Sequence, residues 1–316
     1  MQRNRVFGSR ATRRRRVTAA LTAVLVIVVG AGVTGAVIWH AATPSSSATA
    51  SGAGQQKAAQ PGPGATAALG ASAAVRATAA RWIAGQVAPS AVIACDPAVC
   101  AALQAAGITA TRLVVLGTAA ADPLGSDLVA ATAAVRSEFG ARLVSVYAPA
   151  VIASFGSGAE KIDIRAIAPD GAAAYESSLA ADRRSRLSAG SQLLRNPRLT
   201  ISASARAALS AGDADPRLLL MLAALAVQQP VTVTSFGDPA PGAGAAVPLR
   251  SAQLAAGPAG AKASGAKTSA ASLKSMLTYI EAQQQPYRPL RAGLDGASAL
   301  TVEYAAPSPL GLLSGP

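Results

Sequence analysis

Residues 17–39 read VTAALTAVLVIVVGAGVTGAVIW, 23 residues without a charged side chain. The 16 residues before them hold seven arginines (Arg3, Arg5, Arg10, Arg13, Arg14, Arg15 and Arg16) and no acid. At about 1.5 Å of rise per residue, such a helix covers the roughly 30 Å of bilayer hydrocarbon. The pattern predicts a basic cytoplasmic tail over 1–16 and a single transmembrane helix over 17–40, with everything beyond it outside the cell membrane. Arg13, Arg14, Arg15 and Arg16 set that orientation and meet anionic membrane lipid. A cleaved secretory signal is the alternative, but its apolar region normally spans about 7–15 residues. A twin-arginine export signal would begin like Thr12-Arg13-Arg14, yet Arg16 stands where it needs an apolar residue.

The arginine tail also accounts for most of the formal net charge of +13. Residues 75–316 carry 20 basic and 15 acidic side chains, an ordinary surface, so nucleic acid is not predicted as a partner. The chain holds 80 alanines against 3% aromatic residues, so any core must be built from Ala, Val and Leu with few large anchors.

Residues 41–74 are Ala, Ser, Thr, Gly, Pro and Gln with the one charge of Lys57, the composition of a disordered linker. Beyond it the pattern divides into an α/β unit at 75–169, a charged joint at 170–192 and an α+β unit at 193–316. In the first unit, 75–87 has helical apolar spacing and 91–95 (AVIAC) is of strand length. Asp96-Pro97 supplies an N-cap and a first-turn proline, and Thr132 caps a further helix. Residues 112–117 and 127–131 read as strands, and 151–155 and 161–167 flank GSGAE as a hairpin. Strands alternating with helices and then a hairpin predict a small mixed sheet with an antiparallel edge. In the second unit, 199–202, 231–236 and 300–304 read as strands. Helices are expected after Ser202, after Asp215-Pro216 and over 272–284, the last preceded by a low-complexity loop at 255–271.

The run RWIAGQVAPSAVIACDPAVCAALQAAG, followed by LVVLG, DLVAAT, AVRSEFG and FGSGAEKIDIRAI, resembles the soluble extracytoplasmic tail of actinobacterial membrane glycosyltransferases of the protein-mannosyltransferase type. The likeness covers residues 76–170 and includes neither the many membrane helices nor the acidic loop where that family does its chemistry. It implies a cell-envelope accessory domain, and glycosyl transfer does not carry over with it. The 38 residues LTISASARAALSAGDADPRLLLMLAALAVQQPVTVTSF are similar to the opening of actinobacterial extracytoplasmic D-Ala-D-Ala carboxypeptidase-like domains. The zinc-ligating His and Asp of that family would follow, but GDPAPGAGAAVPLR stands there instead.

The inventory for catalysis is short. The sole histidine is His40, at the membrane boundary, and there are two cysteines, so neither a His-dependent nucleophilic site nor a zinc site is predicted, and no cofactor. Ser264-Gly265-Ala266-Lys267 has Ser-x-x-Lys spacing without the partner motifs of penicillin-binding enzymes. Gly30-Ala31-Gly32 and Gly156-Ser157-Gly158 are not phosphate loops, one lying in the span and the other in a hairpin. Asp96, Asp122 and Asp127 are the candidate ligand-binding carboxylates, because loops after parallel strands converge into a crevice. Their competing role is structural, as a helix cap and in turn chemistry. Cys95 and Cys100 fall at N′ and N4 of the helix that Asp96 caps, positions that a staple brings together. A disulfide is expected, two buried thiols being the alternative. The function that follows is a non-catalytic binding or accessory protein of the envelope, with an envelope protein or glycan as partner. The alternative is a carboxylate-dependent cell-wall glycan hydrolase or transferase.

Overall fold

The computed structural model describes residues 63–117, 122–237, 240–257, 266–296 and 298–313. The expected basic tail at 1–16, the span at 17–40, most of the linker and Ser264 lie outside the described residues. Among the described residues no helix is long and apolar enough to cross a membrane. The fold is mixed α/β with two five-stranded mixed sheets.

Helix α1 (Pro63–Gln86) opens the described chain. Its first twelve residues, 63–74, fall in the segment whose composition reads as linker. Pro sits at the start, where its fixed φ suits a first turn, and the Ala-rich sequence behind it has the highest intrinsic helix propensity. The first sheet follows: β1 (Ile93–Cys95), helix α2 (Pro97–Ala105), β2 (Leu113–Val115), β3 (Leu128–Ala131), helix α3 (Ala133–Phe139), β4 (Ala150–Phe155) and β5 (Ile162–Ala166). Its order is β2-β1-β3-β5-β4, with β2, β1 and β3 parallel and the β4–β5 hairpin adding the antiparallel edge.

Side chains alternate across this sheet and so build two separate cores. Ile93, Leu128, Ala130, Ile162 and Ile164 face Ala79 and Ile83 of α1 and Val99 and Leu103 of α2. Ala94, Val129 and Ala131 face Val135 of α3 and a turn of π-helix at Leu143–Tyr147. Strands buried on both faces read as near-continuous apolar runs. That is why IAC and LVAA carry no alternating pattern.

Helix α4 (Ala172–Leu194) occupies the segment expected as a charged joint. Its face toward the protein includes Asp182 and Arg186, which are buried and ion-paired at 2.8 Å one turn apart. The helix buries charge in place of an apolar stripe, so hydrophobic periodicity could not reveal it. The second sheet is built from β6 (Leu199–Ile201), helix α5 (Ala203–Ala211), helix α6 (Pro216–Gln228), β7 (Val231–Gly237), β8 (Ser251–Ala256), helix α7 (Ala266–Glu281), β9 (Arg291–Asp295) and β10 (Ala299–Glu303). The order is β6-β7-β8-β10-β9, parallel only between β6 and β7. Val231, Val233, Leu254, Leu300 and Val302 face a layer that includes Leu209, Leu218, Leu222, Leu225, Met276 and Ile280. In that layer α4 crosses α5 at Gly190, where a Cβ would stand 2.4 Å from the Leu209 carbonyl oxygen. Only a residue without a side chain lets the two backbones approach so closely.

The two sheets share chain at three places. Residues 240–244, after β7, run along edge strand β4, with Ser154 N donating to Pro241 O at 2.7 Å and Gly244 N to Val151 O at 3.3 Å. Beyond β10, Ala306 donates to Gln86 O at 2.8 Å and accepts from Ala88 N at 3.1 Å, entering the core beneath α1. Arg291 of β9 donates to Gly85 O at 2.7 Å.

Cys95 and Cys100 are joined by a disulfide, their Cα atoms 5.5 Å apart. Asp96 caps α2 by accepting from Val99 N at 2.9 Å, so the bridge pins the exit of β1 to the first turn of that helix. Replacing both cysteines by alanine is expected to lower unfolding stability by about 2 kcal/mol, the chain-entropy value for so short a loop. Urea unfolding of the oxidised wild type and the double variant measures the difference.

Candidate functional site

The three aspartates do not meet. Asp96 lies at the C-terminal end of β1, where its Oδ2 accepts a 2.5 Å hydrogen bond from Thr132 Oγ1, the cap of α3 at the end of β3. The adjacent ends of two parallel strands are thus closed by two caps bonded to each other. Asp127 sits at the opposite end of the strands, just ahead of β3, and its Oδ2 accepts from Val92 N at 2.7 Å. The strands between separate it from Asp96 by about 13 Å at 3.3 Å per residue. Asp122 is exposed and accepts from Leu124 N at 2.8 Å, capping the 3-10 turn Pro123–Gly125. Each carboxylate accepts from one backbone amide; for Asp96 and Asp122 these are the cap and turn bonds weighed from sequence. Among the described residues, no group of three or more His, Cys, Asp or Glu is placed to hold a metal ion.

A different constellation gathers around helix α6. Asp215 caps it, accepting from Arg217 N at 2.8 Å, and Pro216 fills the first helical position. The same carboxylate receives Arg217 Nε at 2.9 Å and Nη2 at 2.7 Å, together with the Ser308 hydroxyl. Asp215 is 0% exposed and Arg217 6%. A pair so buried persists only with its hydrogen bonds filled, since desolvation costs several kcal/mol per ion. Arg217 Nη2 also donates to Ala305 O at 2.8 Å, and its guanidinium lies 4.8 Å from the centroid of the Tyr304 ring.

Beyond this pair, α6 presents Arg217, Leu220, Met221 and Ala224, spaced i, i+3, i+4 and i+7, to a cavity of about 240 Å³. Tyr279 of α7, then Gln283 and Tyr287 just after it, form another wall, and Tyr304 closes the cavity beside Arg217. Gln283 is held by its Nε2 donating to Tyr279 O at 3.0 Å. Three of the chain's five tyrosines thus line one hollow. Tyr304 is 1% exposed, whereas Tyr287 stands 39% exposed. Apolar walls with a few placed polar groups are the ordinary constitution of a small-molecule site. A second cavity, of about 280 Å³ between the sheets, is lined mainly by aliphatic side chains such as Val151, Ile152, Leu179 and Val247.

Burial pushes the Tyr304 hydroxyl far above the usual tyrosine range, an effect that Arg217 opposes and that Asp215 and Tyr279 reinforce. The phenol therefore stays protonated as a hydrogen-bonding group and does not serve as a base at neutral pH. Tyr175 is raised too, by burial and then by Asp182. Arg165, buried on the outer face of β5, is pushed down by burial, and Asp163 partly restores it.

Comparison of the chain with family models, curated proteins and solved structures gives no match. The functional reading accordingly rests on the chain's own geometry. LLLMLAALAV reads as a core helix, and nothing in its apolar periodicity tells which turn faces a hollow. The spacing of Tyr279, Gln283 and Tyr287 in an aromatic-poor chain was the available signal.

A tyrosine whose folded pKa is raised contributes stability that is complete below the unfolded value, near 10, and is lost as pH rises toward the folded value. The urea midpoint is therefore expected to fall with increasing pH above about 10, and less steeply in Tyr304→Phe. Unfolding curves between pH 8 and pH 11.5 test this; parallel dependence in both proteins would count against it.

Proposed function

We propose that this protein is a single-pass, membrane-anchored binding protein of the cell envelope and performs no catalysis. Residues 1–16 lie in the cytoplasm, 17–40 span the bilayer, and the two sheets with their helices are held outside on the linker. The cavity walled by Tyr279, Tyr287, Tyr304 and Arg217 carries the binding half of this reading. Its polar groups are hydroxyls, an amide and a neutralised guanidinium, suited to hydrogen bonding and not to proton abstraction. The carboxylate alternative requires an acid and a base separated by roughly 5–9.5 Å across one cleft. Asp96 and Asp127 stand at opposite ends of the adjacent strands β1 and β3, and each already accepts a hydrogen bond. The location half is supported by the arginine-flanked uncharged run and by a disulfide, which persists in oxidising compartments.

Protease added to intact protoplasts is expected to remove the region after residue 40, leaving a membrane-embedded N-terminal fragment. Protection until the membrane is permeabilised would reverse the orientation. For the binding half, the full-length chain is titrated with a soluble enzymatic digest of the source cell's envelope and followed by ligand-observed NMR. Signals attenuated by the wild type and released by Tyr287→Ala are the expected result. A digest without any such signal would remove the binding reading.

A further inference from the structure

Resting on that binding reading, we propose that the tyrosine cavity takes an uncharged, hydroxyl-bearing ring, the chemistry of one neutral saccharide unit. Charge is the first argument. Among the described residues Arg217 is the only charged one lining the cavity, and Asp215 engages its guanidinium through both Nε and Nη2. A carboxylate or phosphate ligand would have to compete with a fully buried aspartate for that guanidinium. A cationic ligand would meet a wall whose one ion has its own sign. A ligand without charge disturbs neither partner.

Hydrogen-bonding capacity is the second argument. Tyr279, Tyr287 and Tyr304 each carry a hydroxyl that donates and accepts, and Gln283 carries an amide with both functions. Alcohol groups have the same dual character, so each can pair with a phenol or the amide in either sense. A wholly apolar ring would displace water from these groups and leave them unpaired. Leu220, Met221 and Ala224 supply apolar wall for the C–H face of such a ring. At about 240 Å³ the hollow lies below the roughly 300–1,000 Å³ usual for drug-sized ligands, which fits one ring and not a buried oligomer. Exposed Tyr287 marks the side on which a longer chain would continue into solvent.

The test uses the full-length chain in a sugar-free zwitterionic detergent and saturation-transfer NMR. The probes are the methyl glycosides of glucose, mannose and galactose, N-acetylglucosamine, glucuronate, glucosamine and N-acetyltyrosinamide. At least one neutral sugar is expected to bind with a dissociation constant on the order of 1 mM. Glucuronate and glucosamine should bind about tenfold more weakly or worse. Tyr287→Ala and Gln283→Leu should each weaken the neutral sugar by about tenfold, with thermal melting unchanged because neither side chain is in the core. Tyr287→Phe, which keeps the ring face, should lose less than Tyr287→Ala. Tightest binding of a charged sugar or of N-acetyltyrosinamide, or no binding of any neutral sugar, overturns the saccharide assignment. If the envelope digest still binds through Tyr287 in those cases, only the ligand class has failed. If the digest is silent as well, the binding reading has failed with it.

Discussion

Asp215 and Arg217 form the contact on which the second half of the molecule depends. One carboxylate accepts four hydrogen bonds: from the backbone and side chain of Arg217 and from Ser308. It therefore starts helix α6, fixes the guanidinium beside Tyr304 and holds the segment after β10 against the helix. Because both ions are buried, losing either partner would leave the other without solvent or counter-ion, the costly case for buried pairs. The cavity wall, the helix entry and the segment around Ser308 are consequently one mechanical unit. Asp182 repeats the device nearby, pairing with Arg186 and accepting from Gly311 N at 3.2 Å.

Such polar anchors offset what the composition withholds. Alanine supplies many of the buried positions in the sheets, including Ala94, Ala130, Ala131, Ala153 and Ala166, and it brings little apolar area per residue. Small side chains allow close approach of layers, carried to its limit where Gly190 meets Leu209. They cannot by themselves specify which helix lies where. Directional arginine bonds add fixed points between strands and loops: Arg165 Nε donates to Ala148 O at 2.6 Å, half-buried Arg112 Nε to Ala91 O at 2.9 Å and buried Arg250 Nη1 to Tyr304 O at 2.9 Å.

Elements with a local signature were legible in the sequence. Asp96-Pro97, Ser202 and Asp215-Pro216 cap the helices they were expected to cap, because a side-chain oxygen accepting from an amide two or three residues on is a property of the neighbourhood alone. The 231–236 strand and the hairpin around GSGAE were readable for the same reason. Helix α4 was not, since its buried face is partly ionic, although Asp182 followed four residues later by Arg186 is a helical spacing. Strands β8 and β9 escaped because SAQLAA and RAGLD have little β-branched or aromatic content and gain their place from the partners on either side. Of the site, Tyr304 was visible only as the end of a strand. Its meeting with Arg217 joins residues 87 positions apart, and no local pattern records that.

The bridge between Val87 and Ala306 has a consequence for how the chain is made. A ribosome delivers residue 87 long before residue 306, at roughly 5–20 residues per second. The layer beneath α1 therefore waits through the synthesis of 219 further residues (306 minus 87) for its last small side chain and for the partner of the Ala88 amide. A nascent chain holding only the first sheet lacks Ala306 beside Val87 and leaves the β4 edge uncovered. Unpaired strand edges and bare apolar faces are what holdase chaperones and proteases recognise. Delivery of the segment around Ala306 is thus the step that completes the layer beneath α1.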